Sequence, residues 1–181
     1  MPAYLDIMAR PPRVGSFALA LHRSARIRCD WGNLPVVSVP DLVELKKTRR
    51  AADYDVISNL VRISLTSQRK PNRQSLIWAL KNVFRVEDAF WIFERWPEAK
   101  HLVSRIHRPW LNMISSAGNV DVELYSRVQS LLSNDIARNQ IEDIRYWSSI
   151  VQELRDLRKN RMLIPEGAPV SKIIASSQGQ W

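Results

Sequence analysis

The sequence predicts an α+β fold that is predominantly helical. Alternating segments occur only before residue 40, and every later apolar pattern repeats at spacings of three or four. Prolines at positions 71, 97 and 109 punctuate that later series. The expected architecture is a small sheet of two to three short strands followed by a helical bundle. Hydrophobic content of 45% and charged content of 25% over 181 residues allow a real core and exclude a wholly disordered chain.

The elements follow in order. Residues 3–8, Ala-Tyr-Leu-Asp-Ile-Met, read as a strand that sets Asp6 among apolar neighbours. Adjacent prolines at 11 and 12 make the next segment a loop, and Ser16 can cap a short helix through Phe17, Leu19 and Leu21. Residues 25–30 and 34–39 look like two strands about a turn, the first alternating between a buried and a wet face. Ser38-Val-Pro-Asp41 then opens a helix, with its proline in the first turn where a missing N–H costs nothing. Helices are expected over 53–65, 74–85 and 87–96, the last apolar nearly all round and therefore deeply buried or covering a partner.

Asn119-Val-Asp-Val-Glu reads as a capped helix start leading to Leu124, Val128 and Leu132. A last long helix carries Ile141, Ile144, Trp147, Val151, Leu154 and Leu157, and a loose tail is expected from Pro165. Three regions result: an α/β region over 1–66, a helical region over 67–164 and a tail over 165–181.

Charge is uneven. Residues 1–110 hold 19 Lys/Arg against 10 Asp/Glu, whereas residues 111–181 hold 8 against 8. A basic half suits an anionic partner such as nucleotide, nucleic acid or an acidic protein surface, or serves as a solvated face. The single cysteine, Cys29, cannot form an internal disulfide, and the N-terminus does not read as a signal peptide. No apolar run approaches the ~18 residues of a membrane span. A cytoplasmic protein without membrane partners is expected.

Lys46, Lys47, Arg49 and Arg50 are expected at the end of one helix, and Asp53 at the N-cap of the next. Cations there complement the helix dipole and satisfy terminal carbonyls, a purely structural use. The same arrangement suits a phosphate-bearing ligand. Arg62, Arg69, Lys70 and Arg73 continue the basic character, either as a phosphate-contacting loop or as a solvated linker. His22, His101 and His107 lack zinc-site spacing, and Cys29 has no evident partner base. Trp78, Trp91, Trp96 and Trp110 with Phe84, Phe90 and Phe93 are expected in the core.

Leu42-Val-Glu-Leu-Lys-Lys-Thr-Arg-Arg-Ala-Ala-Asp-Tyr-Asp-Val-Ile, preceded by Leu5-Asp6-Ile7-Met8 and Val14-Gly15-Ser16-Phe17, resembles the late active-site motif of bacterial nucleotidyltransferase-like proteins of the AbiEii toxin type, within the polymerase-beta-like superfamily. The resemblance implies catalytic roles for Asp6 and Asp53, with Asp6 the third metal-binding carboxylate. It makes Lys46 or Lys47 the lysine that contacts a nucleoside triphosphate, with Arg50 the partner of Asp53. In such enzymes carboxylates hold two Mg²⁺ ions that stabilise attacking and leaving oxygens. The family's Gly-Ser turn and Asp-x-Asp pair have no counterpart before Asp6. The implied protein, with its truncated sheet, is inactive alone, and Mg²⁺ joins it only if other residues or a second protein chain complete the site. The alternative is a non-catalytic basic module that binds nucleic acid or a protein partner.

Overall fold

Two serines begin helices where the sequence places them. In the computed structural model, which describes residues 11–30, 32–117 and 121–163, Ser16 accepts the Leu19 N–H to start α1 (Phe17–Arg23), and Ser38 accepts the Asp41 N–H to start α2 (Val39–Lys46). Between them β1 (Ala25–Cys29) pairs antiparallel with β2 (Gly32–Val36), Ile27 facing Leu34. The expected alternation of buried and wet faces does not hold, because no residue of either strand is buried. Two strands have too little surface to enclose a core. The strand expected over 3–8 and the tail expected over 165–181 lie outside the described residues.

From residue 39 the described chain is helical, so the α+β, predominantly helical class holds. The helices are α3 (Ala51–Thr66), α4 (Arg73–Asn82), α5 (Val86–Arg95), a 3₁₀ segment (Pro97–Arg105), α6 (Pro109–Ser116) and α7 (Val122–Lys159). Pro97 and Pro109 do not merely end elements. Each sits in the first turn of a new one, where proline's fixed φ and absent N–H fit. The two helices expected after residue 119 are one helix of 38 residues. The polar stretch Ser-Asn-Asp-Ile-Ala-Arg-Asn-Gln at 133–140 contains no glycine or proline, so nothing breaks the backbone ladder.

The chain divides into two compact units, Met1–Asp143 and Ile144–Trp181. The core lies in the first. Ile57, Val61 and Leu65 of α3 meet Leu76 and Leu80 of α4, Ile92 of α5, Trp110 of α6 and Val128 of α7 in one buried cluster. The expected aromatic core is present in part: Trp110, Phe84 and Phe93 are buried, while Trp78, Trp91, Trp96 and Phe90 pack half-buried against it. Only one face of α5 is buried, through Val86, Ala89, Ile92 and Phe93, and the Arg62 guanidinium lies 4.8 Å over the Trp91 ring. Arg62 also pairs with buried Asp88 at 2.6 Å, which separates it from the more distal Arg69, Lys70 and Arg73. In the second unit, α7 carries exposed Ile144, Val151 and Leu154 at helical spacing. None of the helices is long and apolar enough to cross a membrane among the described residues.

Candidate functional site

The turn between α2 and α3 holds the cationic run, and its backbone is fully accounted for. Lys47 donates its N–H to Glu44, Thr48 to the Lys46 carbonyl, Arg49 to the Asp143 carboxylate and Arg50 to Thr48 Oγ1. Their carbonyls accept in turn from the Arg13 guanidinium (2.7 Å), the Tyr54 hydroxyl (3.0 Å), Gln140 Nε2 (3.2 Å) and the Asp53 N–H (3.2 Å). A loop with every polar backbone group paired, two of them to residues about ninety positions away, is held in one conformation.

Arg13 is the main staple. It adopts a left-handed φ of 66°, uncommon for a residue with a side chain, and also reaches the Asn139 carbonyl and the Glu142 carboxylate. Asp143 is buried; its Oδ2 holds the Arg49 amide, whereas Oδ1 has no partner among the described residues.

The structure brings Lys46, Arg50 and Asp53 together. Asp53 is not the N-cap, as expected, but stands in the first turn of α3, whose N-cap is Arg50. Thr48 links the two positions: its hydroxyl accepts the Arg50 N–H and donates to Asp53 Oδ2, and α3 starts without a side-chain cap bond. Lys46 Nζ holds Asp53 Oδ1 at 3.1 Å. Burial alone would raise the Asp53 carboxyl; the Thr48 and Lys46 hydrogen bonds with the Lys46 and Arg50 charges outweigh it and hold it below the ordinary carboxylate range. Lys47 points elsewhere and pairs with Glu44 at 2.6 Å. Arg49 and Arg50 extend outward and form no ion pair among the described residues.

Asp6 lies outside the described residues. Both oxygens of Asp53 are already taken, and no three His, Cys, Asp or Glu side chains gather as a metal would require among the described residues. Among the described residues Asp53 is the ion-pair partner of Lys46.

Sequence reasoning missed an adjoining feature. An open cleft of about 150 Å³ is lined by Lys47, Lys81, His107, Arg108, Asp135 and Arg138, with Phe84 and Asn139. Arg108 is buried and closes the C-terminal end of α4, donating from Nη1 to the carbonyls of Leu80, Lys81 and Val83. Its Nε donates to Asp135 at 2.9 Å, and its guanidinium lies 4.9 Å from the Phe84 ring and 4.8 Å from the Trp110 ring. Nη2 is sealed from solvent without an acceptor among the described residues. Burial lowers the Arg108 pKa while Asp135 opposes that fall. The signal in the sequence is faint: a cation flanked by Ile106 and Trp110, both buried. No family model, curated protein or solved structure matches the chain.

Proposed function

We propose that this protein is a basic module that binds nucleic acid by its phosphates, gripping them with the turn between α2 and α3. The observation that carries this reading is that turn itself. It is immobilised by partners from three other segments (the Arg13 loop, α3 and α7), yet it extends Arg49 and Arg50 into solvent, neither forming an ion pair among the described residues. Ordering a long cation costs entropy, and a fixed backbone lowers that cost when a phosphate arrives. Arginine's planar fork suits phosphate oxygens.

The test is fluorescence anisotropy of a labelled single-stranded oligonucleotide over a salt series. Log affinity should fall linearly with log salt, with and without EDTA, and the slope should shrink by about two in Arg49→Gln/Arg50→Gln. Absence of binding at low salt, or a slope unchanged in the double variant, would overturn the reading.

One observation favours a second reading. Lys46 pairs with Asp53 at 3.1 Å and the Arg50 charge acts on the same carboxyl, which supports the roles that the resemblance to nucleotidyltransferase-like proteins would give them. On that reading the chain binds a nucleoside triphosphate only with Mg²⁺ and only once another chain completes the site. Mg²⁺-dependent triphosphate binding that disappears in Asp53→Asn would favour it.

A further inference from the structure

We infer that the cleft beside the α2–α3 turn is a terminal-phosphate site, seating the phosphate monoester at the end of a nucleic-acid strand. The inference deepens the reading above and rests on it for the identity of the ligand.

Charge comes first. Four cations line the cleft, Lys47, Lys81, Arg108 and Arg138, against the single carboxylate of Asp135. Lys47 is offset by Glu44 at 2.6 Å, so the four cations against Asp135 and Glu44 leave a surplus of two. A phosphate monoester carries roughly 1.5–2 negative charges at pH 7, whereas a linking diester carries about one. The surplus matches the end of a strand better than its middle.

Asp135 meets Arg108 through one oxygen only. It accepts from Arg108 Nε and from Trp110 Nε1 through the same oxygen, while Arg138 approaches its other oxygen only at 3.7 Å. Arg108 Nη2, on a buried cation, has no acceptor among the described residues. Such a charge raises the potential of the cleft above it in a setting where solvent screens weakly. Because Nη2 is closed to solvent, Arg108 acts through its field. Direct contacts come from the exposed side chains of Lys81 and Arg138, the latter held by Asp135 only at 3.7 Å. Lys47 joins this cleft to the cationic turn, so a strand whose end sits in the cleft runs onward over Arg49 and Arg50.

Three oligonucleotides of one sequence test the proposal: one with a 5′-phosphate, one with a 3′-phosphate, and one with hydroxyls at both ends. Wild-type protein should bind one phosphorylated form about tenfold more tightly than the hydroxyl form. Lys81→Gln/Arg138→Gln should erase that preference, so that the three oligonucleotides bind the variant within about twofold of one another. Equal affinity of all three oligonucleotides for wild-type protein overturns the site while the nucleic-acid reading stands. Binding of a nucleoside monophosphate by wild type but not by the double variant, with no oligonucleotide bound, keeps the site and overturns the nucleic-acid reading. A preference that persists in the double variant places the phosphate elsewhere and overturns the site.

Discussion

Two cationic turns lie at opposite ends of α3, and the chain treats them differently. The turn at 47–50 is tied down by Arg13, Tyr54, Gln140 and Asp143, most of them distant in sequence. The turn at 67–72 holds itself together locally: Gln68 Nε2 donates to the Ser64 carbonyl, Ser75 Oγ donates to Gln68 Oε1, and Asn72 caps α4. Arg69, Lys70 and Arg73 thus ride on a locally braced segment, whereas Arg49 and Arg50 ride on one fixed to the rest of the unit. A run of basic residues reads alike in both places. What separates a platform from a solvated linker is the ancestry of its backbone hydrogen bonds, and those come from tertiary structure.

The comparison can be broken first at Arg13. Arg13→Ala removes bonds to the Lys47 and Asn139 carbonyls and should lower unfolding free energy by about 1.5–3 kcal/mol in urea titration. Gln68→Ala, which severs only local bonds, should cost well under ~1 kcal/mol. Equal losses would mean the two turns are braced alike. Arg13→Gly should lose less than the alanine variant, because glycine accepts the φ of 66° without strain.

A smaller effect is expected at Tyr54, whose hydroxyl holds the Thr48 carbonyl. Tyr54→Phe should cost about 1 kcal/mol. It should also change the alkaline limb. Burial pushes the Tyr54 phenol up to about 12, above the ~10 of an unfolded tyrosine, so the folded state keeps a proton that the unfolded state releases. That contribution is complete below about pH 10 and is lost as pH rises toward about 12, and phenylalanine should flatten the decline.

The smallest effect belongs to Asp53. Its folded carboxyl titrates below the unfolded value of ~3.9, so its stabilisation is present above that pH and is lost as pH falls through the lower folded value. In Asp53→Asn the acid limb of stability should be shallower. An unchanged acid limb would mean that the Lys46 and Thr48 bonds do not favour the charged form.

Much of this was readable from local rules. Ser16 and Ser38 announced their helices because a hydroxyl before an apolar run satisfies an otherwise orphaned N–H. The grouping of Lys46, Arg50 and Asp53 followed from spacing across one short turn. Pro97 and Pro109 marked boundaries as the sequence indicated, each opening the next element because a first-turn proline lacks only an N–H that has no partner there. The α2–α3 clamp and the cleft were invisible. Arg13 and Arg108 lie far along the chain from Asp135 and Asp143 of α7, and only packing brings these segments together.

The most direct test sets the two turns against each other in one binding assay. Oligonucleotide affinity would be measured over the same salt series for wild type, Arg49→Gln/Arg50→Gln and Arg69→Gln/Lys70→Gln, each pair removing two exposed cations. The account predicts a slope reduced by about two for the first pair and little changed for the second. Equal reductions, or a larger one at Arg69 and Lys70, would contradict it.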